Sequence, residues 1–194
     1  MDIILYLSNG YPTMESSIQM AREYVDAGCR IIEVDFPSRD PYLESDLIKS
    51  RMAKALENCD DYDAYMEEIL TIKRQNPHTK LLLLAYENTI LKIGVDKYIR
   101  YCKDNGFVYL QAKPTPGQGY VNPKYPTLKD CVEGLRASGI QRPIYCGVGV
   151  HAPEDVRMVK EAGGDAAFVG STILKLQEDI PAMKAKIREF AAQC

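Results

Sequence analysis

Short apolar runs alternate with amphipathic stretches along the whole chain. The apolar runs predict six β-strands, at residues 3–8, 30–35, 80–85, 107–112, 143–147 and 166–170. The amphipathic stretches predict helices at 13–27, 44–58, 61–75, 95–104, 127–138, 153–163 and 172–192. The run at 80–85, Lys-Leu-Leu-Leu-Leu-Ala, lacks polar alternation, which is typical of a parallel strand buried on both faces.

This alternation predicts an α/β fold with a parallel sheet, right-handed crossovers and six β/α units in a single domain, residues 1–194. Two architectures fit, a reduced TIM-barrel-like fold and a doubly wound open sheet, because an eight-unit barrel needs at least about 200 residues. The segment 113–126 holds four prolines and two glycines, so we predict a loop that covers a site.

Composition excludes few classes of protein. The net charge of −3, with acids and bases mixed, argues against nucleic acid or a membrane surface as the main partner. The six cysteines show no C-x-x-C spacing and there are two histidines, so we expect reduced thiols and no metal site. Since the first residues lack the pattern of an export signal, we expect a cytoplasmic protein.

Three carboxylates follow one predicted strand. Glu33 and Asp35 are two residues apart and should share a face of the strand, and Asp40 lies in the loop after it. Carboxylates at the C-terminal end of a strand are suited to general acid or base catalysis in a β/α enzyme. The alternative is that Asp40 caps the next helix and the other acids are solvated, and these residues alone do not decide between the two.

Two predicted strands end in glycine-rich turns, Gly147-Val-Gly149 and Gly170-Ser171-Thr172, each followed by a helix. Backbone N–H groups at such places bind phosphate, as the last two loops of a β/α barrel often do, although plain tight turns have the same pattern. Pro153 occupies the position of the third glycine of a dinucleotide fingerprint, which is therefore absent.

Other candidates are weaker. Tyr86, Asn88 and Tyr109 follow or lie on predicted strands, where they would flank a planar ligand or belong to the core. Lys113 is a candidate for Schiff-base chemistry, with a surface lysine or a partner of Asp35 as the alternative. Ser171 has no visible His/Asp partners, which argues against a hydrolase.

Several segments together resemble the tryptophan synthase alpha subunit family. They are Leu5-Tyr-Leu-Ser-Asn-Gly-Tyr-Pro12, Asp26-Ala-Gly-Cys-Arg-Ile-Ile-Glu33, Phe36-Pro-Ser-Arg-Asp-Pro41, Leu84-Ala-Tyr-Glu-Asn88, Gly106-Phe-Val-Tyr-Leu110, Gly147-Val-Gly-Val150 and Val169-Gly-Ser-Thr-Ile173. The resemblance implies a TIM-barrel lyase that cleaves indole-3-glycerol phosphate to indole and glyceraldehyde 3-phosphate. It implies no metal or organic cofactor.

The resemblance also implies residue roles. Glu33 would protonate the indole ring carbon, and Asp40 would hold the indole N–H and stabilise the charge on the ring. Tyr109 would join Glu33 and Asp40 in the catalytic group and line the pocket. The substrate would be bound by Tyr86, Asn88, Asp35 and Lys113, and its phosphate by Gly119, Gly149, Gly170 and Ser171. As partners the resemblance implies a phosphorylated small molecule and a tryptophan synthase beta-like subunit.

The chain also departs from that family. It passes from the helix 95–104 directly to a segment like the family's sixth strand, so the fourth and fifth β/α units are missing. Asp35 stands where a glycine is usual, which suits a substrate more polar than indole. A barrel that has lost two units has an open edge, so we expect a homodimer through that gap as one outcome. The alternative to a lyase is a non-catalytic barrel that binds a phosphometabolite or regulates a partner.

Overall fold

The computed structural model describes residues 1–41, 44–94, 97–98, 101, 108–111, 126–137, 139, 141–147 and 149–194, with backbone only at 87–88 and 108–111. The predicted helix 95–104 and loop 113–126 fall largely outside these ranges. Two compact units make up the chain, one of residues 1–5 and 106–194 and the other of residues 6–105. None of the described helices is long and apolar enough to cross a bilayer.

The described residues form six strands and eight helices. The strands are β1 (Asp2–Leu7), β2 (Ile31–Asp35), β3 (Lys80–Leu84), β4 (Val108–Gln111), β5 (Ile144–Gly147) and β6 (Ala166–Val169). The helices are α1 (Met14–Asp26), α2 (Asp46–Asn58), α3 (Tyr62–Gln75), α4 (Glu87–Ile93), α5 (Leu128–Ala137), α6 (Pro153–Glu161), α7 (Ser171–Leu174) and α8 (Ile180–Ala191). All six predicted strands are confirmed to within about one residue at each end.

Strand order distinguishes the two architectures. In the unit of residues 6–105, β2 and β3 are parallel neighbours, with Glu33 opposite Leu82. In the other unit the order is β1-β6-β5-β4, again parallel, and the first strand pairs with the last from Asp2↔Ala166 to Leu5↔Val169. A doubly wound sheet would place β4 beside β1. That alternative is therefore wrong, and the fold is a reduced TIM-barrel-like α/β fold.

Local capping explains where α1, α2 and α3 begin. Thr13 Oγ1 accepts a hydrogen bond from the backbone N–H of Ser16 at 3.2 Å, as expected for the predicted cap of α1. Ser45 caps α2 and Asp61 caps α3 in the same way. Gly28, two residues after the end of α1, has a φ of +102° and stops the helix there. This backbone conformation favours glycine.

Two helical predictions need correction. The terminal helix predicted at 172–192 is two helices, α7 and α8, because Pro181 has no backbone N–H and its ring excludes a continuous helix through that turn. Asp179 Oδ1 restarts the helix by accepting from the Ala182 N–H at 3.0 Å. The seven-residue helix α4 was not predicted, since its N-cap residue, Tyr86, makes no side-chain capping bond.

Candidate active site

Strand β2 places two carboxyl groups on one face, as the alternation predicts. Asp35 is fully buried, whereas Glu33 retains partial access to solvent. The Asp35 carboxyl accepts a short hydrogen bond from the Tyr6 hydroxyl on Oδ2 and one of 2.8 Å from the Asn9 backbone N–H on Oδ1. Both contacts come from the end of β1 and the turn after it, so the first two β/α connections fix the position of Asp35.

Burial controls the protonation of Asp35. It raises the pKa of the Asp35 carboxyl to about 7, against the opposing effect of the hydrogen bonds from Tyr6 and Asn9. The pKa of Tyr6 lies well above its usual value, first because of its own burial and then because of the Asp35 charge. Tyr6 therefore stays protonated and remains the donor to Asp35.

Glu33 holds a proton at neutral pH. Burial is the main cause that raises the pKa of its carboxyl to about 8, and the negative charges of Glu44 and Asp35 raise it further. A carboxyl that is protonated at pH 7 and partly accessible from one side can donate that proton to a substrate.

A third carboxyl, that of Glu44, belongs to the same group. It lies in the β2–α2 loop, directly before the Ser45 cap, and its Oε1 accepts a hydrogen bond of 3.0 Å from the Tyr86 hydroxyl. Burial raises its pKa, while the bond from Tyr86 acts in the opposite direction. Glu44 was not predicted from the sequence, because three loop residues separate it from Asp40 and no periodicity shows where a loop side chain points.

Asp40 lies apart from this group. It is exposed, and its backbone N–H donates to Ser38 Oγ at 3.1 Å. With Arg39, Lys49 and others it borders a surface depression of about 520 Å³. The alternative role of Asp40 as a helix cap is wrong, because Ser45 caps α2. Its catalytic role remains a prediction.

The loop after β2 is held in place by the elements around it. The backbone N–H of Phe36 donates to the Leu84 carbonyl at 2.8 Å, and the Tyr62 hydroxyl donates to the Pro37 carbonyl at 2.9 Å. The Phe36 ring packs edge-on against Tyr98 and Tyr101, with ring centroids 5.8 and 6.3 Å away. This support keeps the end of β2, and so Glu33 and Asp35, in a fixed position.

A second buried acid, Glu68 on α3, lies next to the turn after β1. Its Oε1 accepts a short hydrogen bond from Ser17 Oγ and one of 3.4 Å from the Gly10 N–H. Burial raises the pKa of Glu68 to about 7, and the Asp35 charge contributes to that rise. Glu68 was not predicted as a site residue, since a Glu on an amphipathic helix is ordinarily solvated.

The glycine turns lie in the other unit, at the ends of β5 and β6. Gly149 has a φ of +82°, and Gly170 accepts hydrogen bonds from the N–H groups of Ile173 and Leu174 at 3.0 and 3.2 Å. A Cβ added to Gly170 would meet nothing within 4 Å, so there is open space beside its backbone. Ser171 is the first residue of α7. His151, which precedes α6, is exposed.

The remaining predicted site residues are only partly described. Lys113 and Gly119 lie outside the described residues. Asn88 is in α4 and Tyr109 in β4, but the structure describes only their backbone. Among the described residues, no three His, Cys, Asp or Glu side chains are placed to hold a metal ion. The five described cysteines are free thiols.

Comparison with known proteins identifies tryptophan synthase alpha chains among the relatives. A family model described as tryptophan synthase alpha chain matches residues 1–109. The tryptophan synthase alpha chain of Aquifex aeolicus is 25% identical over 99% of this chain and 71% of the relative. A solved structure from Aquifex aeolicus superposes with a TM-score of 0.80 at 22% identity, covering 99% of this chain and 92% of that one. Tryptophan synthase subunit alpha from Campylobacter jejuni gives a TM-score of 0.78 at 20% identity, covering 97% and 95%.

Proposed function

The chain belongs to the tryptophan synthase alpha chain family, and on that premise we propose that it is a lyase. The reaction is retro-aldol cleavage of indole-3-glycerol phosphate or a related phosphorylated substrate. The observation that carries this proposal is Glu33, a partly accessible carboxyl with a pKa raised to about 8, two residues before the C-terminal end of strand β2.

Glu33 supplies the proton that starts the cleavage. Its carboxyl protonates the ring carbon that carries the side chain, which leaves a positive charge on the ring. The bond between that carbon and the side chain then breaks, and its electrons restore the aromatic ring. The hydroxyl on the departing side-chain carbon passes its proton to the Glu33 carboxylate, which restores the acid, and its C–O bond becomes the carbonyl of glyceraldehyde 3-phosphate. In net, one C–C bond and one O–H bond break, and one ring C–H bond and one C=O bond form.

A second carboxylate stabilises the positive charge on the ring. Glu44 fits this role better than Asp40, because Glu44 interacts with Glu33 and is oriented by the Tyr86 hydroxyl, whereas Asp40 is exposed elsewhere. In this role the negative charge of the Glu44 carboxylate lies next to the ring on which the positive charge develops. Asp40 is retained as the competing candidate for the same role.

Backbone N–H groups at Gly149, Gly170 and Ser171 bind the substrate's phosphate in this proposal. The open space beside Gly170 supports it, because a phosphate can approach the backbone there without displacing a side chain. Gly170→Ala would fill that space while leaving the fold intact. The proposal therefore expects Gly170→Ala to weaken binding of glycerol phosphate without lowering the melting temperature.

The proposal is tested by the release of glyceraldehyde 3-phosphate from indole-3-glycerol phosphate. Wild type should form product, and Glu33→Gln, which has the same shape, should lose at least about 100-fold in rate. Glu57→Gln, an exposed residue on α2, is the matched control and should behave like wild type. No product from wild type, together with stabilisation by glycerol phosphate, would instead support a non-catalytic phosphometabolite-binding barrel.

A tryptophan synthase beta-like subunit is the partner that family membership suggests, with a homodimer as the alternative assembly. Sedimentation of the chain alone and with a beta-like subunit from the same genome separates the two. A stable monomer that shifts to a larger species only with the added subunit supports the first. A dimer of the chain alone supports the second.

A further inference from the structure

Four polar atoms near the turn after β1 have no hydrogen-bond partner within the described part of the protein. They are Oγ of Ser8, both polar atoms of the Asn9 carboxamide, and Oε2 of Glu68. Ser8 is 3% exposed, Asn9 0% and Glu68 4%, so water does not readily replace the missing partners. Burial of such atoms costs free energy unless a bound molecule completes their hydrogen bonds.

These atoms are adjacent to Asp35. The Asn9 backbone N–H donates to Asp35, and the Gly10 N–H donates to Glu68, so consecutive residues of one turn contact both carboxyls. Ser8 is the first residue after β1, next to Asn9 and two residues after Tyr6, whose hydroxyl donates to Asp35. The cluster defined by Tyr6, Ser8, Asn9 and Asp35 is therefore a polar face beside Glu33.

Resting on the proposed function, we propose that this polar face selects a substrate whose leaving fragment is a polar ring with several N–H donors instead of indole. Indole has one N–H and is otherwise apolar, so it would leave most of these buried groups without partners. The acceptor oxygens of Asp35 and Glu68 and the unpaired amide of Asn9 suit a ring that donates several hydrogen bonds. An amidine-like or amino-substituted heterocycle has this chemistry.

Calorimetric titration of the whole chain with two bicyclic probes of similar size tests the inference. 2-Aminobenzimidazole carries several N–H donors, and indole carries one. Wild type should bind 2-aminobenzimidazole at least about tenfold more tightly than indole, and Tyr6→Phe with Asp35→Asn should reduce that ratio to about threefold or less. Asp60→Asn, an exposed carboxyl, is the control and should leave the ratio unchanged. If the double variant does not fold, Tyr6→Phe alone should lower the ratio. Equal or tighter binding of indole by wild type would overturn the inference.

The cleavage assay separates this inference from the proposed function. One outcome is that wild type prefers 2-aminobenzimidazole but releases no glyceraldehyde 3-phosphate in a manner that depends on Glu33. That result would support the polar face and contradict the proposed lyase activity. Glu33-dependent cleavage of indole-3-glycerol phosphate by a chain that prefers indole would support the lyase and overturn the polar face.

Discussion

The Tyr86 hydroxyl donates a hydrogen bond of 3.0 Å to Oε1 of Glu44. This contact orients a loop carboxyl whose charge acts on Glu33, the acid on strand β2. It connects the third β/α unit to the loop of the second. It supports the proposal that Glu44, and not the Asp40 that the sequence suggested, stabilises charge on the ring.

The roles of Glu44 and Asp40 are separated by paired substitutions. We expect Glu44→Gln to lower kcat by about 100-fold, because the charge that stabilises the ring cation is lost. Asp40→Asn should change kcat by less than about threefold, since Asp40 is exposed and outside the group around Glu33. Steady-state kinetics of the purified variants is the measurement. A loss in Asp40→Asn as large as that in Glu44→Gln would return the role to Asp40.

The pH dependence of kcat/KM should follow Glu33. Burial first, and then Glu44 and Asp35, raise the pKa of this acid to about 8, so activity should be constant near pH 7 and fall above about pH 8 as the proton is lost. Asp35→Asn removes one repelling charge and should move this decline to lower pH. A decline that keeps its position in Asp35→Asn would show that another group titrates.

Stability should fall with rising pH because of Asp35. Its pKa is raised from 3.8 to about 7 by burial, so between these values the folded protein binds more protons than the unfolded chain. The free energy of unfolding therefore decreases as pH rises through this range, by up to about 1.4 kcal/mol per pH unit for one such group. Urea denaturation at pH 5 and pH 8 should show a smaller decrease for Asp35→Asn than for wild type. Asp60→Asn, exposed and paired with Arg39, should retain the wild-type slope.

Gly10 should tolerate no side chain. It has a φ of +73°, and an added Cβ would lie 2.6 Å from Cε1 of Tyr65. We expect Gly10→Ala to destabilise the fold by about 2–4 kcal/mol, the sum of backbone strain and steric overlap. Gly28, with a φ of +102° and open space around it, is the matched control. Gly28→Ala should lower the free energy of unfolding only by the backbone strain. Equal melting temperatures for the two variants would contradict the contact with Tyr65.

Strand periodicity accounts for what the sequence could predict. The two-residue repeat places Glu33 and Asp35 on one face, because successive side chains of a strand alternate. Glu44 and Glu68 could not be found this way, since a loop residue and a helix residue reach the site only through the tertiary fold. Pro181 marks the break between α7 and α8 in the sequence, because proline disfavours the interior of a helix. The prediction of one continuous helix did not take this residue into account.

Single-turnover cleavage of indole-3-glycerol phosphate, with the protein in excess, tests the role of Glu33 most directly. Excess protein makes slow chemistry on a poorly matched ring measurable. Wild type should form indole and glyceraldehyde 3-phosphate, with a rate constant at least about 100-fold above that of Glu33→Gln. Rate constants within about threefold of each other would contradict proton transfer by Glu33.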